Sequence, residues 1–197
     1  MNDLAFRARP FMPEDELPTP PSGATAENSQ RPEVAPDEGD LAYDKILVPI
    51  DFSEHSKTTV SYATKTASRH GSTIYLLHVF QIPDYVVTPY ARRRQNCAEV
   101  QSHVDAAEQE ARETLEAFAA ELSKKGIKVQ PYFRVGYPFD EIVLMAKHFN
   151  VDLIVIGSHG RGALSRLLVG STAERVVEHA PCPVLVVRES RPRTKSE

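Results

Sequence analysis

Val151-Asp152-Leu153-Ile154-Val155-Ile156-Gly157-Ser158-His159-Gly160, followed by nine residues and then Gly170-Ser171-Thr172, is the stretch whose reading decides the fold. Its first part is apolar, β-branched and continuous, the pattern of a strand buried on both faces, as in a parallel sheet. The glycines that follow let backbone approach a ligand with no Cβ in the way. Gly170-Ser171-Thr172 then opens a helical segment running to His179. A helix N-terminus presents free N–H groups and the positive end of a dipole, which favour an anion. Strand, glycine turn, second glycine turn and helix start together predict a phosphate cradle.

Outward from this stretch, strand and helix patterns alternate. Lys45-Ile46-Leu47-Val48-Pro49-Ile50 reads as a buried strand, and Asp51-Phe52-Ser53 as a turn in which Asp51 or Ser53 caps the next helix. That helix is predicted from Glu54 to His70, stopped by Gly71. A second strand spans Thr73 to Phe80, and residues 81–96, with Pro83, Pro89 and the run Arg92-Arg93-Arg94, read as a loop. Cys97 to Lys125 reads as a long polar helix with one stripe formed by Val100, Val104, Ala107, Ala111, Leu115, Phe118 and Leu122. A third strand is predicted over Lys128 to Arg134. A helix opened by Pro138 follows, with Ile142, Met145 and Phe149 on one face, and a last strand runs from Pro183 to Arg188. Such alternation implies an α/β fold with parallel strands, right-handed crossovers and helices on both faces of the sheet.

In open doubly wound sheets, ligands sit beyond the carboxyl ends of the strands, where strand order reverses. Two strand ends carry suitable chemistry: Pro49-Ile50-Asp51 and Ile156-Gly157. If they are neighbours, Asp51 faces the glycine loop across a crevice, where it can bind a ribose hydroxyl or help hold a metal ion. Backbone N–H groups of Gly160, Gly170, Ser171 and Thr172 would hold phosphates, with the hydroxyls of Ser171 and Thr172 adding donors. Val79, near the end of the second strand, would offer backbone groups to a base edge. The candidate nucleotide contacts are therefore Pro49, Ile50, Asp51, Val79, Gly157, Ser158, His159, Gly160, Arg161, Gly170, Ser171 and Thr172. Positive charge comes from Arg161, with Arg166 reading as a solvated face, and His159 reads as loop-shaping or as lying at the phosphate edge. The loop lacks the lysine of a Walker A motif and the glycine spacing of a Rossmann fingerprint. His78 reads as a satisfied core histidine and Cys182 as packing at the start of the last strand.

Composition narrows the function classes. Residues 1–42 carry nine acidic residues against three arginines and hold seven of the fifteen prolines, which reads as a disordered acidic tail. The body that remains is close to neutral and has no electrostatic footprint for nucleic acid. Two cysteines, Cys97 and Cys182, make no disulfide framework. No apolar stretch approaches the roughly 20 residues of a membrane span, and no signal-peptide core is legible, so the expectation is a soluble, cytoplasmic protein without membrane contact. Residues 43–188 are expected to form one nucleotide-binding domain, and residues 189–197 a polar tail.

With those residues in hand, the chain closely resembles the universal stress protein family, in its ATP-motif branch. Tyr43 to Asp51 looks like the family's first strand, Leu76-Leu77-His78-Val79 like its second, and Cys182 to Val187 like its last. Gly157 through Ser171 matches the family's pattern of Gly, two residues, Gly, nine residues and Gly-Ser/Thr. The resemblance implies a five-stranded parallel sheet in the order 3-2-1-4-5, a Rossmann-like doubly wound α/β fold. It also implies ATP with Mg²⁺ or Mn²⁺ as the default ligand, and a homodimer formed by antiparallel pairing of the last strand, 183–188. No nucleophile, base and orienter constellation is legible. The reading is a regulatory stress-response module that binds ATP. The alternatives are a slow metal-dependent nucleotide hydrolase and a dimeric scaffold indifferent to nucleotide.

Overall fold

A computed structural model of the chain describes residues 43–81, 97–158 and 169–188, apart from the side chains of residues 97–99 and 101. The elements follow in the order β1 (Lys45–Ile50), α1 (Glu54–His70), β2 (Thr73–Phe80), α2 (Cys97–Lys124), β3 (Lys128–Val135), α3 (Pro138–Phe149), β4 (Leu153–Gly157), α4 (Ser171–His179) and β5 (Val184–Val187). The five strands form a parallel sheet in the order β3-β2-β1-β4-β5. This is the doubly wound α/β architecture that the sequence predicts. The acidic N-terminal segment, the Arg92–Arg94 run, His159, Gly160, Arg161, Arg166 and the C-terminal tail lie outside the described residues.

Local chemistry explains the boundaries. Ser53 is the N-cap of α1, its hydroxyl accepting from the Ser56 amide at 3.4 Å, and Gly71 ends the helix in the left-handed conformation at φ 70°. At that φ an L side chain is strained and glycine is not. Pro138 occupies the first turn of α3, where its missing N–H leaves nothing unsatisfied. Asp140 and Glu141 follow in the same turn and Lys147 and His148 stand in the last, so charge complements the dipole at both ends.

Two apolar layers sandwich the sheet. On one face Ile46, Val48, Ile74 and Leu76 pack against α1 through Val60, Ala63 and Ala67, and against α2 through Leu115, Ala119 and Leu122. On the other, Leu47, Leu77, Ile154 and Ile156 pack against α3 and α4 through Ile142, Met145, Phe149, Ala173 and Val176. Alternate residues of each strand therefore serve opposite faces, which is why β1, β2 and β4 read as unbroken apolar runs. Fully burying a side chain such as Met145 or Phe149 contributes about 1.5–3 kcal/mol.

The apolar stripe of α2 is buried only in its C-terminal half. Val100 is 40% exposed, Ala107 is exposed, and Val104 and Ala111 are only half-buried, while Leu115 and Leu122 are in the core. A helix of 28 residues is far longer than the eight-residue strands beneath it, so one end overhangs the sheet.

The sheet also explains where its opening lies. β1 pairs with β2 along its full length, to Ile50 opposite His78. Its paired register with β4 covers only Ile46 with Leu153 and Leu47 with Ile154. Pro49 has no N–H to give to a ladder, and the pairing stops short of it. β1 and β4 therefore part toward their carboxyl ends.

Candidate functional site

A cleft of about 740 Å³ opens where β1 and β4 part. Pro49, Ile50 and Asp51 from the end of β1 line it, and so do Gly157 and Ser158 from the end of β4. Gly170, Ser171 and Thr172 at the start of α4 form the side next to β4, and Val79 contributes from β2. Every predicted contact within the described residues thus lines one cavity. His159, Gly160 and Arg161 fall outside those residues.

Asp51 is held by its own turn. Its Oδ1 accepts from the Ser53 amide at 3.1 Å, the Ser53 hydroxyl at 2.5 Å and the Ser56 hydroxyl at 2.6 Å. The Asp51 amide in turn donates to Ser56 Oγ at 3.0 Å. Bonds to an ionised acceptor are among the stronger ones, so this network fixes the end of β1 onto the first turn of α1. Between the two lies Phe52 at φ 62°, a left-handed conformation that is rare for a bulky residue. Its ring stacks on His78 with centroids 4.2 Å apart.

His78 is 7% exposed, and its Nδ1 lies 2.9 Å from the Ile50 carbonyl, which assigns the ring proton to Nδ1. It is thus the satisfied core histidine expected from the sequence, and it also lines the cleft.

At the glycine turns, the structure divides the amides differently from the sequence reading. The Gly170 N–H donates to the Ser158 carbonyl at 2.7 Å, and the Ser158 N–H donates to the Val187 carbonyl at 2.8 Å. The Gly170 amide is therefore engaged in closing the loop on itself. The first intrahelical bond of α4 runs from the Glu174 amide to the Gly170 carbonyl. That leaves the amides of Ser171, Thr172 and Ala173 as the ones a helix start cannot satisfy internally. Gly170 is the N-cap and has no side chain with which to cap them.

Sequence reasoning missed several lining residues. Ser56 and Thr59 reach the cleft from α1, Pro138 and Ile142 from α3, and Phe80 and Gln81 from the end of β2. The spacing Asp51-x-Ser53-x-x-Ser56 was a legible signal for Ser56, since hydroxyls there fall on one helical turn. Nothing local announces the α3 residues, which come from a distant part of the chain.

Among the described residues, Asp51 is the only formally charged side chain lining the cleft, and no group of three His, Cys, Asp or Glu stands ready for a metal. Mg²⁺ is usually held by one or two carboxylates together with substrate phosphates. The residues thus fit a cation carried in by phosphates, with Asp51 as a contact, rather than a site made of protein ligands alone. No helix among the described residues is long and apolar enough to cross a membrane. Cys182 is a free thiol packed against the α3–α4 layer at the start of β5.

A parallel sheet wound in both directions from β1, with its cleft at the carboxyl ends of the strands, defines a doubly wound α/β protein whose cleft lies at the switch point, where folds of this kind bind ligands. Residues 42–188 match the universal stress protein family, and the chain belongs to that family. It is 31% identical over 153 residues to universal stress protein MJ0531 of Methanocaldococcus jannaschii, which takes in 78% of this chain and 86% of that one. The solved universal stress protein UspA of Lactobacillus plantarum superposes with a TM-score of 0.65 at 30% identity, over 76% of this chain and all of that one. A universal stress protein of Archaeoglobus fulgidus, solved in complex with dAMP, superposes with a TM-score of 0.51 at 23% identity, over 75% of this chain and all of that one. At that identity the likeness speaks to the fold alone.

Proposed function

We propose that the cleft binds an adenine nucleotide, with ATP as the default ligand, and that the protein acts as a regulatory stress-response module rather than a dedicated catalyst. The observation that carries this reading is that Asp51 and the start of α4, which has no side-chain cap, line one cavity at the switch point. The amides of Ser171 and Thr172 and the positive dipole end take the phosphates. Asp51 takes a ribose hydroxyl or a cation riding on the phosphates. The end of β2 and the start of α3 take the base. A volume of about 740 Å³ falls within the usual range of roughly 300–1,000 Å³ for small-molecule sites.

Nucleotide binding would act by population shift, biasing a surface beside the cleft. Homodimerisation through β5 belongs to the same reading, because β5 stands at the sheet edge with Leu185 39% exposed.

Isothermal titration of the full chain with ATP tests the reading, with and without Mg²⁺. Saturable binding in the micromolar range or tighter is the expected result. Absence of heat at millimolar ATP overturns it. Turnover of about one per second or faster in a parallel phosphate-release assay would instead make the protein an enzyme.

A further inference from the structure

We propose that a buried ion pair outside the cleft, Arg134 with Glu141, is the positioning device for the wall that receives the base, an inference that rests on reading the cleft as a nucleotide site. Arg134 Nε donates to Glu141 Oε2 at 2.7 Å, and the two side chains are 3% and 2% exposed. Neither residue lines the cleft. Buried ion pairs are weak evidence for stability, since desolvation offsets most of the Coulombic gain. Their best-attested use is to select one arrangement among several, and the surroundings of this pair show which arrangement is selected.

Arg134 lies on β3 directly opposite Val79 of β2. Glu141 lies on α3, three residues beyond Pro138 and one before Ile142, and Val79, Pro138 and Ile142 all line the cleft. The pair therefore ties α3 to β3, the strand that pairs with the β2 part of this wall. The turn between them is held as well, by the Gly136 amide donating to the Phe80 carbonyl at 3.1 Å.

Gly136 completes the device. A Cβ there would stand 2.7 Å from Glu141 Oε1 and 3.1 Å from its Cγ, so the glutamate lies flat on bare backbone. Glu141 cannot swing aside without leaving Arg134. Gly136 is thus needed for the room it leaves, and the ion pair and the turn form one interlocked unit. Shifting Glu141 moves Ile142 and Pro138 with it. The start of α4 is anchored separately, its Gly170 amide tied to the Ser158 carbonyl beyond the end of β4.

The test uses ATP titrations of the full chain followed by backbone amide resonances, which read the two ends of the cleft separately. Glu141→Gln keeps the shape and removes the charge, and Gly136→Ala keeps the charge and removes the room. In both variants the shifts at Ser171 and Thr172 should persist, because the phosphate end is intact. Those at Val79 and Gln81 should shrink, and ATP affinity should fall about tenfold, which corresponds to about 1.4 kcal/mol. Affinity for inorganic tripolyphosphate, which has no base, should change by less than about twofold, well inside that margin. Folded variants that bind ATP like the parent overturn the inference, as do variants that lose ATP and tripolyphosphate in equal proportion. If Gly136→Ala does not fold, Glu141→Gln decides alone. A parent chain that binds neither probe removes the nucleotide reading itself, and the inference with it.

Discussion

The amide of Gly170 donates to the carbonyl of Ser158, so the second glycine turn is tied at 2.7 Å to the residue that follows β4. This bond sets the start of α4 beside the end of the strand whose carboxyl side opens the cleft. It also commits one amide to architecture and leaves those of Ser171 and Thr172 as the proposed anion seat. The proposed phosphate end is thus a helix start tied directly to the end of a strand.

An aspartate at position 170 separates stability from binding. Gly170 has φ −65° and ψ 148°, a conformation any residue adopts. In Gly170→Asp the new carboxylate caps the amides of α4, so stability should rise by a few tenths of a kcal/mol. The same carboxylate fills the anion seat with like charge, and ATP affinity should fall by about tenfold or more. Urea unfolding and calorimetric titration measure the two effects. Undiminished ATP binding would remove the helix start from the site.

Phe52 stores backbone strain against a ring contact. Phe52→Ala keeps the left-handed φ and loses the stack on His78, so it should destabilise by about 1–3 kcal/mol. Phe52→Gly also loses the ring but relieves the strain. It should be the more stable of the two by roughly 1 kcal/mol. Denaturant midpoints at constant slope make the comparison, and equal stabilities would show that the φ carries no cost.

Alkaline unfolding should report the aromatic layer under α3. Burial, with a contribution from Tyr75, pushes the Tyr132 hydroxyl from 10.0 up to about 12, and the hydroxyl donates to Gln130 Oε1 at 2.9 Å. The folded state thus holds this proton more tightly than the unfolded chain does. The resulting stability is complete below pH 10.0 and is lost as pH rises through about 12. Tyr132→Phe should flatten that part of the stability profile. A parent and variant with parallel profiles between these limits would contradict the assignment.

The exposed edge should answer to a single charge. Leu185→Lys places an ammonium on β5 at a side chain already 39% exposed, so the fold should be unaffected. If β5 joins two copies, light scattering of the parent gives a dimer and the variant shifts to monomer at micromolar concentration. A variant that stays dimeric places the interface elsewhere.

The elements themselves were legible because their signals are local. Continuous β-branched runs marked β1 and β4, Gly71 stopped α1, Pro138 opened α3, and the periodicity Ile142, Met145, Phe149 named the buried face of α3 correctly. On α2 periodicity gave the apolar side of the helix and not how far the layer beneath it extends. Gly136 passed unnoticed for a similar reason, since the carboxylate that needs its bare backbone is set by packing.

By itself, then, the sequence determined the order of strands and helices, their caps and the glycine turns, all properties of residues a few positions apart. Tertiary structure alone decided that the Gly170 amide is engaged by Ser158, that Ser56, Thr59, Pro138 and Ile142 share a cavity with Asp51, and that Glu141 lies on Gly136. Local pattern also could not say which strand lies beside β1, and family resemblance supplied that order. The physical reason is one and the same: propensity and capping act along the chain, whereas a cleft exists only where packing brings distant segments together and makes them part again.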